Sequence, residues 1–117
     1  MTTEEMARRI VEFTREKPGA SLFELTRLFG EEARGYLAWE IVPNVIAWQG
    51  MSQQFLDALR LAFKYIEPRP ASALVYWIDG VVCSLPQAKN LPAKGYKTLH
   101  WLPVVFYPLK SSHRVTA

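Results

Sequence analysis

Two helix-start signatures near the beginning of the chain constrain its fold more than any other feature. Thr2 with Glu5 three positions on makes one capping box, and Ser21 with Glu24 makes a second. Between them Met6, Ile10 and Phe13 recur at helical spacing, Lys17 suits the last turn, and Pro18-Gly19 stops the helix. Leu22, Leu25, Leu28 and Phe29 supply the apolar face of a second helix that ends at Gly30. A helical pair is therefore specified before any strand signal appears. The β-branched and aromatic runs come later, and helices and strands together make an α+β domain.

Positions 31–39 fit a third short helix, ended by the approach to Pro43, and 44–48 read as a short strand closed by Gly50. Ser52 caps a helix over 52–65. Phe55, Leu56, Leu59, Ala62, Phe63 and Ile66 face its inner side; Gln53, Asp57, Arg60 and Lys64 lie opposite. Pro68 and Pro70 forbid its continuation. Two apolar runs then flank Asp79-Gly80, which predicts a β-hairpin over 73–85, because a type I′ turn needs positive φ at both central positions. Positions 87–98 form a polar loop. A last strand is expected over 99–107, with Pro103 marking an edge or bulge and 104–107 an exposed edge open to pairing. Trp39, Trp48 and Trp77 are expected in the core. At 117 residues the chain suits one domain over 1–108, three to four helices on a small antiparallel sheet, with 109–117 a flexible tail.

Charge is unevenly spread. Residues 1–50 hold six basic and eight acidic side chains, −2, and residues 51–117 hold eight basic and three acidic, +5. No carboxylate side chain follows Asp79, whereas Lys89, Lys94, Lys97, Lys110 and Arg114 do. Such a segment suits a polyanion, because phosphate contacts release counterions and a neighbouring carboxylate opposes them. No apolar stretch approaches the roughly 20 residues of a membrane span, and the first residues lack a secretory pattern. The single cysteine, Cys83, has no disulfide partner in the chain, and a cytoplasmic protein is expected.

Catalytic constellations are poor. Cys83 between Val82 and Ser84 reads as a small hydrophobe, and His100 and His113 have no obvious partners. No zinc spacing occurs, and the six glycines are scattered singly. No catalysis, metal or cofactor is expected.

Binding features are richer. Gln53, Arg60 and Lys64 are residue types that reach base edges or phosphates, Arg69 is held between two prolines, and Lys89, Lys94 and Lys97 line the polar loop. These seven are the expected nucleic-acid contacts, gathered into one positive face beside the 52–65 helix. The order helix, helix, short strand, helix and hairpin resembles the winged helix-turn-helix superfamily. In that resemblance 52–65 is the recognition helix and the hairpin around Asp79-Gly80 is the wing. It implies a regulator of transcription that binds double-stranded DNA. The chain departs from the pattern in placing more than 20 residues between Gly30 and Ser52. Either 31–50 is an insertion or 31–39 is the third helix. The alternative function is a protein-interaction module, such as a phage or mobile-element factor that binds a host protein. Its docking surface would be Glu31, Glu32 and Glu40 near Tyr36 and Trp39.

Overall fold

Helix α1 (Thr3–Glu16) begins where the Thr2 hydroxyl accepts the Glu5 backbone N–H, and Pro18-Gly19 turns the chain with Gly19 at φ 91°. The computed structural model describes residues 1–109. Strand β1 (Ala20–Ser21) runs directly into α2 (Leu22–Arg27). The second capping box is complete: Ser21 Oγ accepts the Glu24 N–H, and the Glu24 carboxylate accepts the Ser21 N–H. After a 3-10 turn at Gly30–Ala33 come β2 (Arg34–Val42) and β3 (Val45–Met51), joined through Asn44 at φ 63°. Helix α3 (Gln53–Ala62) is capped by Ser52, whose hydroxyl accepts the Phe55 N–H. Strand β4 (Ile66–Pro70), α4 (Leu74–Ile78), β5 (His100–Trp101) and β6 (Val104–Pro108) complete the order.

The strands form two three-stranded sheets. In the first, β6 lies between β1 and β4 and is antiparallel to both, so Phe106 faces Ala20 on one side and Pro68 on the other. In the second, β3 lies between β2 and β5, antiparallel to β2 and parallel to β5, with Val45 opposite His100. The chain leaves one sheet for the other at Leu102-Pro103. Leu102 still donates its N–H to the Ile46 carbonyl, and Pro103, with no N–H to give, accepts from Ala71. Helices α1 and α3 pack together over Met6, Ile10, Phe55 and Leu59, all fully buried. Phe106 joins the layers: its ring stacks on Trp39 of β2 and on Phe63 at the end of α3, with both centroid distances 6.2 Å.

The architecture is α+β, with α1, α2 and α3 where the caps put them, but several expectations change, beginning with the single antiparallel sheet, which is two sheets, one with a parallel pair. Positions 73–85 hold no hairpin. Ala73 and Tyr76 turn inward at i, i+3 spacing, which makes the first run a short helix, α4. Asp79-Gly80 ends that helix in a Schellman motif: the Gly80 N–H returns to the Trp77 carbonyl and the Val81 N–H to the Tyr76 carbonyl, with Gly80 at φ 83°. Trp77 consequently faces outward instead of joining the core. The third helix expected at 31–39 is a 3-10 turn followed by β2, so 31–50 is a hairpin inserted between α2 and α3. The strand expected over 99–107 is two strands in different sheets, and 104–107 occupies the centre of its sheet, not an edge. The tail expected over 109–117 lies, from Lys110 on, outside the described residues. Among the described residues no helix is long and apolar enough to cross a membrane.

Candidate binding surfaces

The seven residues expected to meet nucleic acid fall on different supports. On α3, Gln53 Nε2 donates to Asp57 Oδ1 at 2.9 Å, and Arg60 Nη1 lies 3.8 Å from the same oxygen. Asp57 thus engages both neighbours on the face meant for a polyanion. Arg69 is held in the same way, 2.9 Å from Glu67 Oε1, with its guanidinium 4.2 Å from the Tyr107 ring centroid. Lys89, Lys94 and Lys97 are exposed, and none belongs to an ion pair among the described residues.

The loop that carries Lys94 and Lys97 is docked on the β2–β3 turn. The Tyr96 N–H donates to the Pro43 carbonyl at 3.0 Å, and Asn44 Nδ2 donates to the Tyr96 carbonyl at 2.7 Å. Gly95 permits this approach, since a Cβ there would run into Pro43. The Tyr96 ring stacks on His100, 3.9 Å between centroids. At the same turn Glu40 Oε2 accepts the Asn44 N–H at 2.7 Å. Folding therefore brings a carboxylate from the acidic half beside a loop whose own sequence has none.

Lys64 stands elsewhere, in a groove of about 410 Å³ between α1 and the end of α3. Arg8, Val11 and Arg15 line it from α1, at spacings that put them on one helical stripe, and Leu61, Lys64 and Tyr65 line it from the other side. Arg8 and Arg15 escaped the sequence reading because they lie in the acidic half. The available signal was their placement, seven residues apart, beside the apolar stripe.

The third surface surrounds α4. Leu74, Trp77 and Ile78 are 55, 54 and 76% exposed, and Val82, just past the Schellman turn, is 81% exposed. Beside them opens a pocket of about 320 Å³ with no charged residue in its lining, which includes Trp48, Val82, Cys83, Leu85 and Trp101. The inner side of α4 is fixed by Tyr76. Its phenol oxygen accepts the Leu22 N–H at 3.0 Å and donates to the Val104 carbonyl at 2.6 Å, and burial pushes its pKa up to about 12. Trp101 packs edge-on against that ring and donates its indole N–H to the Ala47 carbonyl at 3.3 Å. The outward side chains of α4 are thus presented on a fixed support. Cys83 opens onto this pocket, while His100 is held at the loop by Tyr96 and by the Thr98 carbonyl, 2.8 Å from Nδ1.

No protein-family model matches this chain, and neither a curated protein nor a solved structure does.

Proposed function

We propose that this chain is a non-catalytic protein-interaction module of winged-helix type whose contact surface is the outer face of α4 and the adjoining pocket. What supports the scaffold reading is the plan of three helices, α1 to α3, followed by the antiparallel pair β4 and β6. In that reading the wing is the long excursion between those two strands, and the β2–β3 hairpin is an insertion ahead of α3.

The observation that carries the interaction is the row Leu74, Trp77, Ile78 and Val82. Leu74, Trp77 and Ile78 are three and four apart on α4 and so are neighbours on its surface, and Val82 follows just past the turn, at the pocket. Contiguous apolar surface on a protein marks a contact site, and an aromatic anchor beside a pocket is the usual centre of one. The polar face of α3 supports a polyanion less well, because Asp57 engages both Gln53 and Arg60.

The test is capture of partners by the tagged full chain from nuclease-treated extract, alongside Ile78→Glu and Trp77→Ser variants. Both positions are exposed, so the variants should melt like the parent. A protein recovered by the parent, reproduced with purified components and lost about tenfold or more in both variants, is the expected result. Recovery that nuclease abolishes, or that ignores both substitutions, overturns the reading.

Lys89, Lys94 and Lys97 favour a second reading, double-stranded DNA binding through the docked loop, since none is ion-paired among the described residues. Three phosphate contacts would give log K against log salt a slope of about −3, and reversing Lys94 and Lys97 would flatten it by roughly two units. A salt-indifferent or undetectable affinity eliminates it.

A further inference from the structure

We infer that the groove between α1 and the end of α3 is a second docking site, for an acidic segment of a protein partner that carries an apolar anchor residue. Its floor is apolar, with Val11 and Ala62 buried there and Leu61 and Tyr65 partly open at the side. Its rim is cationic. Lys17, Arg34, Arg60 and Arg69 each pair with a carboxylate of the chain, whereas Arg8, Arg15 and Lys64 enter no ion pair among the described residues. Glu4 also lines the groove, so its charges are three positive to one negative.

That combination selects its occupant. An apolar floor takes an apolar side chain out of water, and unpaired cations at its edge reward carboxylates on either side of that anchor. A nucleic acid offers the charge but no aliphatic anchor for the floor. The chain's own continuation does not complement the groove. The Leu109 N–H is held by the Tyr65 carbonyl at 2.9 Å, beside the groove, and the residues that follow include Lys110 and Arg114 and no carboxylate side chain. They repeat the sign of the rim.

The experiment measures fluorescence anisotropy of a labelled peptide alternating glutamates with leucines at i, i+3 and i+4, titrated with the full chain. Parallel probes are the same peptide with glutamine for glutamate, the acidic peptide with alanine for leucine, and a short DNA duplex. Saturable binding of the first peptide alone is expected at about 50 mM salt, weakening several-fold as salt shortens the screening length. Joint Arg8→Glu and Lys64→Glu substitution should weaken it about tenfold or more, and Ile78→Glu should leave it unchanged, which separates this site from the α4 surface. Should the double reversal fail to fold, Arg8→Gln with Lys64→Gln replaces it. Equal binding of the glutamine or alanine peptide overturns the inference. So does binding indifferent to the rim substitutions, tighter binding of the duplex through the same residues, or self-association of the chain that those substitutions abolish.

Discussion

The phenol of Tyr76 serves two backbone groups that have no other obvious partner. Leu22 supplies the first N–H of α2, a donor no helix can satisfy from within, and the Val104 carbonyl lies opposite Pro70, which has no N–H to offer. Tyr76→Phe keeps the ring and orphans both groups in a buried site, so urea unfolding at neutral pH should show a loss of about 1–3 kcal/mol. The pH dependence adds a second signature. The native phenol is raised to about 12 from an ordinary value of 10. Below pH 10 it is neutral in both states and its contribution is fully present. Between pH 10 and 12 the unfolded chain ionises and the native one resists, so that contribution falls by roughly 2 kcal/mol, at about 1.4 kcal/mol per pH unit. The phenylalanine variant lacks this limb, and the two stability curves should converge across that window. Parallel curves would mean that the oxygen is not satisfied as described.

At the scale of elements, α1, α2 and α3 were legible because each start is decided by a cap side chain within its own first turn. Thr2, Ser21 and Ser52 accept the N–H three residues on in every case. The element that misled, 73–85, shows where such local reasoning ends. A glycine at positive φ after an aspartate serves a type I′ turn and a Schellman cap equally well, and the burial of Tyr76, a tertiary fact, decides between them. The binding surfaces were less legible for a similar reason. The ion pairs of Arg60 and Arg69 are local and visible in the sequence, but only packing sets Glu40 at the turn on which the lysine loop docks and places Arg8 and Lys64 along one groove. Helix α2, only six residues long, depends most on its cap. Burial alone pushes the Glu24 carboxyl up, yet the Lys17 ammonium and the Ser21 N–H and hydroxyl outweigh it and leave the carboxyl below its ordinary value. Stability from that lowered carboxyl is therefore present above the ordinary carboxylate range and is lost as pH falls through the native value. Ser21→Ala should cost about 1 kcal/mol at neutral pH, and Glu24→Gln should remove the acid-dependent part, both read from denaturant midpoints across pH. An unchanged acid limb in Glu24→Gln would place that dependence on another carboxylate.

For the molecule as a whole, the question is whether two sheets that share no strand behave as one unit. The main core draws on α1, α2, β3, α3, β4 and β6, and the smaller cluster of Ala73, Tyr76 and Trp101 touches it through Trp48. Phe106 is one link between them: fully buried in the centre of the first sheet, it meets Trp39 from the second and Phe63 at the end of α3 in one aromatic cluster. Truncating it removes the transfer energy of a phenyl ring and leaves a cavity walled by two other rings, a loss of about 3–5 kcal/mol in comparable cores. That is a large fraction of the roughly 5–15 kcal/mol that stabilises a domain of this size. If the stack joins the sheets, Phe106→Ala should lower the midpoint of unfolding as a single step, with tryptophan fluorescence and far-ultraviolet circular dichroism moving together. If the sheets are independent, the first would unfold early while the environment of Trp101 in the second persisted, and the two signals would separate. The sharing of one stack by three elements favours the single step, because no element can leave without exposing the apolar faces of the other two.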